Sequence, residues 1–273
     1  MGALSAAGAA RFGVAPVTPA LIAEIREKRY ARARGARSHV ALAGLSLGVA
    51  AGEFVALVGP SGCGKTTFLN IVAGLDRDFA GEIRLAPRPD GGPARVGYVF
   101  QEPRLLPWRT VHENIALVLP PHRADAQVKD MLHAVGLPEA QDLFPPQLSV
   151  GMSRRVAIAR AFAIEPDLLL MDEPFVSLDH DTVEQLRELL LKLWHARPTT
   201  VLFVTHDMRE ALVLADRLLL LSGTPGHVLA DVPVSLARNR RQSSAEIELL
   251  RDQILRRHRE LIGAAAAATT PVE

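Results

Sequence analysis

The sequence predicts an α/β fold built on a mostly parallel sheet, and three observations carry that prediction. The apolar run Phe54-Val55-Ala56-Leu57-Val58 leads straight into Gly59-Pro60-Ser61-Gly62-Cys63-Gly64-Lys65-Thr66, which fits the phosphate-loop pattern G-x-x-x-x-G-K-[ST]. A second apolar run, Leu168 to Met171, ends in the paired carboxylates Asp172 and Glu173. Between and beyond them, strand-like and helix-like segments alternate, the pattern of strands joined by crossover helices.

Taken in order, residues 1 to 22 are rich in Ala and Gly, carry Pro16 and Pro19, and read as a tail. Strands are expected at Phe54–Val58, Val96–Phe100, Leu168–Asp172, Val201–Thr205 and Arg217–Leu221. Each is a short apolar run without polar alternation, as in a strand buried on both faces. Helices are expected at Gly64–Ala73, Ala124–Val135, Val150–Ile164, Asp181–Ala196 and Asp207–Ala215. Residues 102 to 165 break the alternation with Pro103, Pro107, two helical stretches and the turn Phe144-Pro145-Pro146, and read as a helical subdomain inserted between two core strands. The helix Ser244–Ile262 opens with the capping-box pattern Ser243-x-x-Glu246 and carries the apolar stripe Ile247, Leu250, Ile254, Leu261. Residues 263 to 273 read as a second tail. No internal repeat is evident.

Composition sets the outer limits. With 273 residues, 48% of them hydrophobic, there is enough apolar side chain for one large domain with a subdomain. A formal net charge of +1 argues against a nucleic-acid partner, which calls for a basic excess. Arg26, Lys28, Arg29, Arg32, Arg34 and Arg37 cluster near one another and read as a solvated face, since acids balance them over the chain. One cysteine, Cys63, permits no internal disulfide. The longest weakly polar stretch, Val40 to Gly52, is stopped by Glu53, short of the ~20 residues a membrane span needs. No charged-then-apolar secretory leader opens the sequence, so a cytoplasmic location is expected.

The motifs carry the chemistry. The loop glycines let backbone N–H groups close around an anion, and the helix that follows adds partial positive charge. Lys65 would reach the terminal phosphates of a nucleoside triphosphate, and the Thr66 hydroxyl would ligate Mg²⁺. All eight loop residues, Gly59, Pro60, Ser61, Gly62, Cys63, Gly64, Lys65 and Thr66, are nucleotide-binding candidates together with Thr67. A helix N-terminus lowers a thiol pKa, so Cys63 is expected to react with maleimides, with ATP protecting it. Because side chains alternate along a strand, Asp172 and Glu173 point apart and can take separate tasks. Asp172 suits Mg²⁺ and Glu173 suits a general base that polarises the attacking water.

At this point kinases, GTPases, helicases and transport ATPases remain open. The segment Leu148-Ser149-Val150-Gly151-Met152-Ser153-Arg154-Arg155-Val156-Ala157-Ile158-Ala159-Arg160-Ala161, just ahead of the Asp172 strand, resembles the signature of ATP-binding cassette (ABC) ATPases. That resemblance covers residues 24 to 262. It implies a P-loop NTPase with a RecA-like parallel-sheet core, an N-terminal antiparallel β part and the inserted helical subdomain, with a C-terminal extension over residues 223 to 262. It implies further that Ser149 and Gly151 contact the γ-phosphate of ATP held by a partner copy, so that a homodimer shares two sites. Gln101 matches the glutamine that touches Mg²⁺ and senses the γ-phosphate, His206 the histidine that contacts it, and Ser177-Leu178-Asp179 the loop that crosses the dimer interface. Tyr30 corresponds to the adenine-stacking aromatic. Val150 stands where the family has glycine, which leaves its effect on turnover open.

Phe100-Gln101-Glu102-Pro103-Arg104-Leu105-Leu106-Pro107-Trp108, Leu221-Ser222-Gly223-Thr224-Pro225-Gly226 and Val232-Pro233-Val234 resemble importer ATPases of the nitrate/sulfonate/taurine type. Implied partners are transmembrane permease subunits and a solute-binding protein, with the chain peripheral on the cytoplasmic side of the membrane. The stretch Gln101–Asn114 would receive the permease, Trp108 being either its contact or a core residue. Soluble ABC proteins acting on nucleic acid or ribosomes are the alternative; they carry paired cassettes, coiled-coil insertions or zinc modules that do not occur here. A small-molecule kinase would have no use for the Leu148–Ala161 segment.

Overall fold

Every residue of Phe54–Val58 and of Leu168–Asp172 is buried, so neither strand has a solvent face. The computed structural model describes residues 19–31, 38–236 and 244–258. Among the described residues there are two sheets. The first is antiparallel in the order β2-β1-β4, from β1 (Pro19–Tyr30), β2 (His39–Ala50) and β4 (Ala80–Leu85). The second has the order β5-β6-β7-β3-β8-β9, from β3 (Phe54–Val58), β5 (Val96–Val99), β6 (Leu168–Asp172), β7 (Thr200–Thr205), β8 (Arg217–Leu221) and β9 (Val228–Pro233). Its first five strands pair in parallel and β9 closes one edge antiparallel.

Strand alternation sorts the apolar runs between two cores. Phe54, Ala56, Val58, Leu169, Met171, Val201 and Phe203 face one side of the large sheet. They pack against α4 (Val150–Ala163), α5 (His180–Ala196) and α6 (Met208–Leu214). Val55, Leu57, Leu168, Leu170, Leu202 and Val204 face the other side, onto α1 (Lys65–Val72) and the small sheet. Phe68, Leu69, Ile71 and Val72 of α1 are therefore enclosed by both sheets, which fixes the phosphate loop at the helix's head. Phe54 meets Trp194 and Phe203 edge-on at 6.1 and 6.3 Å, anchoring α5 beneath the central strand.

Between β5 and β6 lie α2 (Val111–Ala116), α3 (Ala124–Ala134) and α4, with a 3₁₀ turn at Pro145–Gln147. The sequence reading places two helices there; the third, α2, is only six residues long and held by its cap. Thr110 accepts from the Glu113 amide while Glu113 accepts from the Thr110 amide, a Thr-x-x-Glu box legible in the sequence. Asn114 is fully buried and pairs with Leu106, Arg109 and Thr110, organising the loop that carries Trp108.

Some boundaries move. Strand β1 begins at Pro19, inside the stretch read as an N-terminal tail of residues 1 to 22, because Leu21, Ala23 and Ile25 alternate into the core. Lys28 is not part of a solvated basic face: it is 2% exposed and bonded to Asp76 and to the Asp78 carbonyl. Arg32, Arg34, Arg37, the cap Ser243, Leu261 and the 263 to 273 tail lie outside the described residues. Helix α7 (Ser244–Arg257) buries Ile247 and Ile254 from the predicted stripe. Among the described residues no helix is long and apolar enough to cross a membrane.

Candidate active site

Strand order assembles the site. In β5-β6-β7-β3 the parallel strands end at one level, with Asp172 opposite Val204 and Val58 opposite Thr205. The residues just past those ends are Gln101 after β5, Glu173 after β6, His206 after β7 and the phosphate loop after β3. Ligands in open α/β sheets bind along this carboxyl edge.

The phosphate loop is shaped by its glycines. Gly62 and Gly64 have φ of 80° and 97°, a conformation closed to most L side chains. A Cβ on Gly64 would lie 2.9 Å from the Ala41 carbonyl oxygen, so the loop also rests directly on β2. Lys65 is 5% exposed; its Nζ donates to the carbonyls of Gly59 at 2.8 Å and Pro60 at 3.0 Å. The same ammonium lies 3.5 Å from Oε1 of Glu173, whose other oxygen is 3.0 Å from Nδ1 of His206. Glu173 thus sits between the loop lysine and the histidine, on a left-handed backbone with φ 43°. Its own amide is tied to the Val204 carbonyl, which locks the turn. The Thr66 hydroxyl donates to Oδ1 of Asp172 at 3.1 Å. Burial pushes the Asp172 carboxyl above its ordinary pKa, against the pull of the Thr66 hydrogen bond.

The expected reactive thiol is corrected by the structure. Cys63 is 1% exposed, and desolvation pushes its thiol up, outweighing the pull of Lys65. Tyr30 stands beside α1, its hydroxyl 3.3 Å from both Thr67 Oγ1 and Asp76 Oδ2, with Lys28 Nζ 4.6 Å from the ring centroid. Tyr30 is 40% exposed.

Ser149 and Gly151 do not join Lys65. They line a second cleft of ≈ 410 Å³ with Asp179, while Thr66, Asp172 and Gln101 line a first of ≈ 460 Å³. Ser177, with φ 64°, borders both. Ser149 caps α4 by accepting the Met152 amide, and Asp179 caps α5 by accepting from Thr182. Val150 is 61% exposed, and Trp108 is 70% exposed, which excludes Trp108 from the core. Two arginines in the first cleft, Arg104 and Arg154, fall inside the segments that carry the resemblance but receive no site role from the sequence. Only the folded chain brings them there, and no spacing signal marks them.

A profile described as ABC transporter matches residues 42–176. The aliphatic sulfonates import ATP-binding protein SsuB of Bacillus subtilis is 39% identical over 239 residues, covering 86% of this chain and 93% of that protein. SsuB 1 of Pseudomonas aeruginosa is 45% identical over 221 residues, covering 78% and 89%. The ATP-binding cassette MJ0796, solved as a dimer in a post-hydrolysis state bound to ADP and Pi, superposes with a TM-score of 0.68 at 30% identity. That match covers 80% of this chain and 100% of MJ0796. The fold is that of a nucleotide-hydrolysing cassette. The chain belongs to the ABC transporter family, as an ATP-binding, ATP-hydrolysing subunit of the importer type.

Proposed function

We propose that the chain hydrolyses MgATP to drive import of a small organic anion of the sulfonate class, working as a homodimer against permease subunits supplied with solute by a binding protein. The importer relatives support the solute class, and the two separate clefts support the homodimer. One copy offers Lys65 and the phosphate loop; a second copy, head to tail, offers Ser149 and Gly151 at the capped end of α4.

The residues at the first cleft fit a hard cation. The Thr66 hydroxyl and the buried Asp172 carboxylate are 3.1 Å apart, and Gln101 lines the same cleft, an all-oxygen donor set suited to Mg²⁺. Mg²⁺ held there would neutralise phosphate charge. Lys65, held by two loop carbonyls and paired with Glu173, would exchange those contacts for the phosphates of a bound nucleotide. That exchange frees the Glu173 carboxylate to accept a proton from water as the water attacks the γ-phosphorus in line. His206, 3.0 Å from Glu173, orients that carboxylate and faces the developing negative charge. ADP and phosphate leave, the bridging contacts disappear, and the dimer opens. Tyr30 receives the adenine. Trp108, together with exposed Leu117 and Val118, forms the surface offered to the permease, and through it the chain sits peripherally on the cytoplasmic membrane face.

The observation that carries this reading is the Glu173 carboxylate set between Lys65 and His206 at the end of β6. Its test is Glu173→Gln, which should keep ATP, accumulate as a dimer in MgATP, and lose hydrolysis by ~100-fold or more. Wild-type turnover in that form would overturn the general-base role; a monomer at saturating MgATP would overturn the shared-site dimer.

A further inference from the structure

Arg154 occupies the second turn of α4, beyond Ser149 and Gly151, yet its side chain turns into the first cleft with Thr66 and Asp172. It is 7% exposed. Its guanidinium donates to the carbonyls of Phe100 and Gln101 on one side and, through Nη2, to the Val176 carbonyl on the other. Those acceptors belong to separate pieces of the site. Phe100 and Gln101 form the loop after β5; Val176 immediately precedes Ser177, which lines both clefts. One cation therefore holds the helix that presents Ser149, the loop that presents Gln101, and the segment that leads to Asp179.

Its neighbours sharpen the point. Arg155, the next residue on α4, turns to the second cleft and binds Gln185 and the Val135 carbonyl. Arg160, one and a half turns further, takes the carbonyls of Pro103 and Arg104. Arg154 alone spans both the Gln101 loop and the Ser177 segment. Burying a guanidinium costs several kcal/mol unless acceptors compensate, and burial indeed lowers the Arg154 pKa with Glu102 opposing. Nε is buried with no acceptor among the described residues.

We infer that Arg154 is a positioning residue that couples the Gln101 loop of one copy's nucleotide site to the signature helix and the Ser177–Asp179 segment that the same copy presents to its partner. The inference rests on the shared-site reading above and adds the link between a copy's two clefts. A shift of Gln101 toward a bound γ-phosphate pulls on the two carbonyls; Arg154 passes that displacement to α4 and Val176, and loss of the phosphate releases both together.

The test is a double-mutant cycle with Gln101→Ala, read in ATP affinity of the monomer, kcat and Tm. Arg154→Met should leave monomer affinity within about twofold, since its hydrogen bonds go to Phe100, Gln101 and Val176 and not to the phosphate loop, while kcat falls by ~10-fold or more. Arg154→Lys, which keeps the cation but not the fork, should fall between them. In the Gln101→Ala background, Arg154→Met should change kcat by less than about twofold, because the signal it relays is already gone. Full kcat in Arg154→Met, or losses that multiply in the double mutant, would overturn the coupling. So would parallel loss of Tm and ATP affinity, the mark of a merely structural residue. If the Met form does not fold, the Lys form carries the same cycle. Absence of ATPase activity in the wild type would instead count against the function itself, which keeps the two failures distinct.

Discussion

Replacing Gly226 by Ala should weaken ATP binding although Gly226 lies more than 150 residues from the phosphate loop in sequence. The turn after β8 backs onto that loop. Gly226 donates to the Ala41 carbonyl and accepts from Ala43, and Thr224 Oγ1 donates to the Gly62 carbonyl at 2.9 Å. A Cβ on Gly226 would sit 2.1 Å from the Cys63 carbonyl oxygen and 3.1 Å from Leu42 Cδ2. Carbon–oxygen contacts relax to about 3.3 Å, so one backbone must retreat by about 1.2 Å. Overpacking of this kind costs ~1–3 kcal/mol. If the phosphate loop moves, that sum appears in nucleotide affinity as a loss of about 5- to 150-fold. Equilibrium titration with a fluorescent ATP analogue measures it, alongside Tm. Gly52→Ala is the control: Gly52, unlike Gly226, has a positive φ, 74°, but a Cβ there would meet nothing within 4 Å, so it should lower Tm and leave affinity unchanged. Thr224→Val should give a milder loss, a single hydrogen bond being worth ~0.5–1.5 kcal/mol. Lowered Tm with unaltered ATP affinity in Gly226→Ala would refute the claim that this turn braces the loop.

Other outcomes are equally definite. Burial raises the Asp172 pKa in the folded chain, so its ionisation opposes folding above the unfolded-state value of ~3.9 and has no effect well below it. Asp172→Asn should therefore raise the Tm of nucleotide-free protein near pH 7, with the gain shrinking on acidification, while MgATP hydrolysis is lost; a lower Tm at pH 7 would contradict this. Cys63, buried and with its thiol pushed up, should label slowly with maleimide in the native protein and quickly in urea. Fast native labelling would restore the exposed-thiolate expectation. Val150→Gly removes an exposed side chain at the head of α4 and should change the ATPase rate with little effect on monomer affinity or Tm; an unaltered rate discards a kinetic role for Val150.

Local pattern sufficed where function is written in consecutive residues. Gly59 to Thr66, Asp172-Glu173 and Ser149 to Gly151 were legible because a phosphate loop, a strand end and a capped helix each need fixed residue types at fixed spacing. The central strands were legible too, since a strand buried on both faces must be apolar throughout. Short or half-exposed elements were harder: α2 has six residues and rests on its Thr110–Glu113 cap, and β1 mixes buried Leu21 and Ile25 with charged neighbours. Trp108 could not be placed from composition, because an aromatic just after a proline suits a core or a surface equally well. Cys63 went astray for a related reason. A helix N-terminus lowers a thiol pKa, but the packing of the loop against Leu42 and Leu221 removes the water that a thiolate needs.

What the amino-acid sequence determined by itself is therefore chemical: a loop of the phosphate-binding pattern, a carboxylate pair, a capped helix of the signature pattern, and enough apolar strand to bury them on a scaffold. The tertiary structure decided who meets whom. Placing β6 and β7 beside β3 sets Glu173 between Lys65 and His206, and folding the β8–β9 turn back sets Thr224 against Gly62. It also turned Arg154 into one cleft while Ser149, on the same helix, opens to another. Strand order and side-chain direction depend on long-range packing of both cores, and no local spacing encodes that.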